Sequence, residues 1–155
     1  METINKDLSV LVDDTILNIR VVVLLKSEHG YVFEKSTDGY IFALGGRVKL
    51  HESTAEACAR EILEEVKLHN IDVKMAGVIE NFFNLHGTKK YHEINFVFRA
   101  TLKEPLDVEA LVSDDGNVGY LYVLPEDFDK YDIRPKALKE VITSEQPFFH
   151  VVNRD

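Results

Sequence analysis

The chain has a single cysteine, Cys58, so no internal disulfide framework can hold it together. A lone thiol is compatible with a reducing cytosol. No uninterrupted apolar run reaches membrane-spanning length. The opening METINKDLSV has no apolar signal core. A soluble, cytoplasmic protein is the expectation. Positive charge is scarce: 18 Lys and Arg stand against 27 Asp and Glu, a formal net charge of −9. Such a surface repels polyanions at long range, so polymeric nucleic acid is not an expected partner. A small anionic ligand is not excluded, because a divalent cation among carboxylates inverts the local field. The sequence also lacks linkers, repeats and low-complexity tracts. Its 155 residues therefore read as a single domain, 1–155. With 45% hydrophobic residues the chain can bury a core without covalent staples.

What is present is a set of short apolar runs around one strongly patterned helix. Strands are expected at 20–25 (RVVVLL), 31–34, 40–44, 71–79, 94–100 and 118–123. Turns are expected at 28–30 and 36–39, and a hairpin-like loop at 84–90. Pro125 starts a helical turn, 137–142 reads as a helix, and 148–152 as a final strand or tail. The firmest assignment is a helix over 54–66. Ser53 and Glu56 form a capping box at its start. Ala55, Cys58, Ala59, Ile62 and Val66 make an apolar stripe at spacings of three and four. Strands outnumbering helices predict an α+β fold with mixed α/β/α layering rather than a doubly wound dinucleotide fold.

The same helix carries Glu61, Glu64 and Glu65, related by three and four residues and therefore neighbours on its surface. The apolar stripe is expected to anchor one side and the carboxylates to be displayed on the other. Like charges this close repel, and a hard divalent cation reverses the balance. Carboxylates suit magnesium better than histidines do. A bare ExxEE string is more often solvated surface, but Gly45, Gly46 and Arg60 change the weighting. The glycines permit close backbone approach. Arg60, eight residues after Glu52, is expected to form a planar, bidentate pair with it and tie the glycine segment to the helix. Arg47, Lys49, Arg20 and Lys35 are candidates for phosphate contact. Tyr40, Phe42, Phe82 and Phe83 can either stack on a base or pack the core. His92 can meet a phosphate or a water, though a histidine starting a strand is more often structural, and Cys58 is a small core residue.

Gly46, Glu52, the run Arg60-Glu61-Ile62-Leu63-Glu64-Glu65 and Leu68 resemble the Nudix hydrolase (MutT-like) signature, in which G, five residues, E and seven residues precede REUxEExGU. Lys67 stands where that pattern has glycine, Leu44 where proline commonly precedes the glycine pair, and His51 where glycine often precedes the glutamate. The resemblance extends over about 18–143, through RVVVLL, ENFF at 80–83 and HEINFVF at 92–98. It implies a mixed sheet between helices, and hydrolysis of a nucleoside diphosphate linked to another group by water attack on phosphorus. Mg2+ is the implied cofactor, with Mn2+ as an alternative. It further implies Glu61 and Glu65 as principal metal ligands, and Glu64 as a further ligand or the group that activates water. Glu52 would brace Arg60, and a Gly45 or Gly46 carbonyl would complete the shell. Asp114 and Asp115 are candidates for a general base, or form a solvated turn. A homodimer is compatible with the resemblance. A non-catalytic nucleotide-binding regulatory domain is the alternative function. An isoprenoid diphosphate isomerase needs a cysteine in its pocket, and Cys58 lies on the anchoring face.

Overall fold

A computed structural model describes residues 6–85, 89–111 and 119–155. Its axis is β2 (Thr15–Ser27), which carries the apolar run of the sequence. Successive side chains on a strand point to opposite faces. Val21, Val23 and Leu25 pack with Ala57, Cys58, Ile62 and Val66 of α1 (Thr54–Val66). Val22 and Leu24 share the opposite cluster with Leu138, Val141 and Ile142 of α2 (Leu138–Thr143). A strand apolar on both sides requires cover on both sides, and the two helices provide it. The α+β fold with a mixed sheet between helices is thus the observed architecture.

The other strands among the described residues are β1 (Ser9–Val12), β3 (Gly30–Lys35), β4 (Ile41–Arg47), β5 (Lys74–Leu85), β6 (Lys89–Thr101), β7 (Tyr120–Val123), β8 (Ile133–Arg134) and β9 (Phe149–Arg154). The sheet order is β7-β3-β4-β2-β6-β5-β9, with β1 on β2 and β8 on β4. The pairs β2–β6, β5–β9 and β4–β8 are parallel. The remaining pairs are antiparallel.

Several boundaries differ from the sequence reading. Residues 71–73 are not strand; Ile71 and Val73 are apolar because they pack on the α1-side cluster. Asn84, Leu85, Lys89 and Lys90, expected in a loop, pair across the β5–β6 hairpin. β1 was not expected: Val10, Leu11 and Val12 are exposed, and the strand is specified by its pairing with β2. The expected strand at 118–123 is described from Tyr120. Asp114 and Asp115 lie outside the described residues.

Candidate active site

The α1 helix begins where Ser53 accepts a hydrogen bond from the Glu56 N–H at 3.1 Å. It ends at Lys67, whose φ of 61° places a lysine in the left-handed region, with its N–H donating to the Leu63 carbonyl. His51, in the loop before the helix, also has a positive φ, 67°. Both positions carry a bulkier residue in a conformation that favours glycine.

The helix is rotated relative to the expected stripe. Ala57, Cys58, Glu61, Ile62 and Val66 are its buried residues, whereas Ala55 and Ala59 are exposed. Of the three clustered glutamates only Glu64 is displayed, its side chain 44% exposed. Glu61 is buried and Glu65 half-buried. The reason lies in β4. Gly45 and Gly46 are not in a turn but inside this strand, opposite Val22 and Val21 of β2. A Cβ at Gly46 would fall on the Glu61 carboxylate. The absent side chain creates the room into which Glu61 turns.

Arg60 organises the acidic side of the helix. Its Nε donates to Glu52 Oε2 at 2.7 Å and its Nη2 to Glu52 Oε1 at 2.9 Å, the bidentate pair expected from the sequence. Nη2 also reaches the Arg47 carbonyl at 3.0 Å, and Nη1 donates to Glu61 Oε1 at 2.9 Å. A longer contact of 3.4 Å leads from Nη1 to Glu64. Glu52 Oε1 accepts the Lys49 N–H as well, at 3.0 Å. One guanidinium therefore joins strand end, loop and helix.

Burial pushes the Glu61 carboxyl up, and Arg60 opposes the shift. Burial and then the charges of Glu34 and Glu61 push Glu65 up to about 9, with the Gly45 backbone opposing. Its Oε2 is closed off from solvent and has no hydrogen-bond partner. Glu34, a buried residue of β3, was not singled out from sequence. The available signal was its phase: it lies two residues beyond Val32, which faces the α1-side core.

A cavity of about 790 Å³ opens over these groups. Glu34, Glu61, Glu64 and Glu65 line it with Gly45, Gly46 and Arg60, and Lys6, Arg20, Arg47 and Lys49 add positive charge. A second cavity of about 490 Å³ lies beside it, and Arg20, Phe42 and Arg47 line both. Tyr40 and Phe83 line the second cavity, but Phe82 does not. Phe82 faces the other side of β5, between His92 at 4.4 Å and the Arg154 guanidinium at 4.2 Å. His92 and Lys35 line neither cavity.

Among the described residues, no three Asp, Glu, His or Cys side chains converge as a group able to hold a metal ion. The donor chemistry of the first cavity nevertheless suits a hard cation. Glu65 presents an orphaned oxygen beside two repelling carboxylates, the imbalance that a bound divalent ion relieves. Among the described residues no helix is long and apolar enough to cross a membrane.

The NUDIX domain family model matches residues 10–143. No curated protein sequence matches the chain significantly. Among solved structures, the chain is similar to the mutator MutT protein of Bacillus halodurans, at 18% identity and a TM-score of 0.66, covering 86% of this chain and 89% of that one. It is similar to the dihydroneopterin triphosphate pyrophosphohydrolase of E. coli, at 14% identity and a TM-score of 0.65, covering 80% and 91%. The MutT protein of Methanosarcina mazei gives 20% identity and a TM-score of 0.62, covering 85% and 94%. At these identities the likeness is one of fold.

Proposed function

The chain belongs to the Nudix domain family, and from that premise we propose that it hydrolyses a phosphoanhydride bond in a nucleoside diphosphate linked to another moiety, by water attack on phosphorus. The observation that carries this reading is the orphaned Glu65 oxygen, set beside Glu61 in a cavity that also presents cationic side chains. Glu61 and Glu65 would hold Mg2+ or Mn2+, with Glu64 at the open side. When bound, the ion supplies a lowered pKa for its water and neutralises charge on phosphoryl oxygens.

The remaining roles belong to the chain itself. Arg20, Arg47 and Lys49 line the cavity and offer charge to substrate phosphates. Arg60 is a positioning residue: its guanidinium is engaged by Glu52, Glu61 and the Arg47 carbonyl. Glu64, exposed at the cavity, would be a further ligand or would accept a proton from water. Gly46 gives the close approach between β4 and the helix, and Gly45 the close approach between β4 and the β2 backbone.

The test is a panel of nucleoside diphosphate derivatives incubated with Mg2+ and resolved by chromatography. The expected result is a metal-dependent nucleoside monophosphate or phosphate product from at least one class. Saturable nucleotide binding without such product would replace this reading with that of a regulatory nucleotide-binding domain.

A further inference from the structure

The segment 6–8 precedes β1 and lies outside the span of the family match, 10–143, yet Lys6 and Asp7 line the first cavity. The backbone explains how they come there. The Leu8 N–H donates to the Val48 carbonyl at 2.8 Å, and the Leu50 N–H donates to the Lys6 carbonyl at 2.7 Å. Asp7 and Lys49 face each other across this antiparallel bridge. The Leu8 carbonyl also accepts the Ile19 N–H at 3.0 Å, and the Leu8 side chain packs on the α1-side cluster. Backbone bonds and one apolar anchor therefore hold 6–8 against the stretch that joins β4 to α1. That stretch is itself fastened, because the Lys49 N–H is bonded to Glu52, the partner of Arg60.

The charges around the cavity give this attachment a use. Asp7 and four glutamates line it, and they repel an anionic ligand unless cations offset them. Lys6, Arg20, Arg47, Lys49 and Arg60 are the cationic side chains of the lining. Three of these already face carboxylates. Arg60 is held by Glu52 and Glu61, Arg47 stands 3.8 Å from Asp7, and Arg20 stands 4.0 Å from Glu93. Among the described residues, Lys6 and Lys49 form no ion pair. An ammonium without a carboxylate beside it offers its whole charge and three donors to a phosphate.

The bridge between 6–8 and 48–50 thus brings two such lysines to one cavity. We infer that Lys6 is a substrate-binding residue, which acts with Lys49 to grip the phosphate chain of the substrate. The site then extends beyond the acidic motif onto a segment that the motif does not contain. This deepens the hydrolase reading above and rests on it.

Calorimetric titration of the whole chain in Mg2+ tests the inference without turnover. The probe is methylenediphosphonate, a diphosphate that water cannot cleave. Lys6→Met removes the charge and keeps an unbranched side chain. The backbone of Lys6, not its exposed side chain, makes the bonds that hold the segment, so the variant should melt as the wild type does. Its dissociation constant for the probe should rise at least about fivefold at low salt, and the loss should shrink as salt is added. Lys6→Arg keeps the charge and should stay within about twofold of the wild type. Lys103→Met makes the same change of net charge at an exposed position that lines neither cavity, and should shift binding by less than about twofold. With a cleavable diphosphate derivative, the loss in Lys6→Met should appear in KM rather than kcat. Wild-type affinity in Lys6→Met overturns the inference. An equal loss in Lys103→Met overturns it too, as does absence of probe binding by the wild type. If no diphosphate derivative is cleaved while Lys6→Met still weakens the probe, the hydrolase reading falls and the role of Lys6 in binding phosphate stands.

Discussion

Glu52 and Arg60 meet through two parallel hydrogen bonds, of 2.7 and 2.9 Å, although eight residues separate them. The same carboxylate accepts the Lys49 N–H, so it fastens loop and helix at once. Glu52→Gln keeps an acceptor but loses the charged fork. Its stability should fall by about 1–3 kcal/mol, allowing for partial exposure of the pair. Arg60 holds the Glu52 carboxyl below the usual carboxylate range, with a further contribution from the Lys49 backbone. That stabilisation is present above the ordinary pKa of 4.5 and is lost as pH falls through the depressed value. Urea unfolding should therefore show a flatter acid limb in the variant. Turnover should drop less than in Glu65→Gln; an equal drop would refute this ranking.

Glu65 titrates in the opposite sense. Its folded pKa, about 9, lies above the ordinary 4.5 because of burial and the charges of Glu34 and Glu61. The folded state then holds a proton that the unfolded chain releases first. Stability from this group is complete below pH 4.5 and is lost progressively as pH rises through about 9. In chelator, the melting temperature should decline over that window by ~5 °C or more. Mg2+ should abolish most of the decline, and Glu65→Gln should flatten it without metal. The same variant should lose at least ~100-fold in metal-dependent turnover. A chelated wild-type protein with no alkaline decline would contradict the assignment.

Gly46→Ala tests the contact between strand and helix. The new Cβ would occupy the place of the Glu61 carboxylate. Either the helix shifts or Glu61 leaves its bond to Arg60, at a cost of about 1–3 kcal/mol. Circular dichroism should retain the fold while turnover falls by ~10-fold or more. Unchanged turnover would show that the position of Glu61 does not matter to the reaction.

Lys67→Gly should act the other way. It removes a left-handed lysine at the helix end and should stabilise the protein by up to about 1 kcal/mol, read by chemical denaturation. The lost contact from Lys67 Nζ to the Glu64 carbonyl is exposed and offsets little of this. Destabilisation would show that the lysine contact outweighs the strain.

The local chemistry of α1 was legible because its signals are local. Ser53 caps the helix, Arg60 pairs with Glu52, and Lys67 takes the backbone conformation that a glycine pattern demands. Its orientation was not legible. The spacing of Ala55 and Ala59 fits an apolar stripe, yet both are exposed, because space beside Gly46 turns Glu61 inward. Glu34 escaped notice because its neighbour across the cavity is 31 positions away in sequence, on another element. Phe82 and Phe83 look equivalent as text, but adjacent strand residues face opposite ways, and Phe83, unlike Phe82, lines the second cavity.

The void at Gly46 also limits how portable the acidic motif is. An isolated peptide spanning 45–68 would hold every letter of it, but would lack the partner strand that keeps Gly46 extended and the distant Glu34 that strains Glu65. Grafted onto another scaffold, the string would form a charged surface helix with its glutamates hydrated. Its buried carboxylates belong to the seam between helix and sheet, and transplanting them means carrying β2, β3 and β4 along.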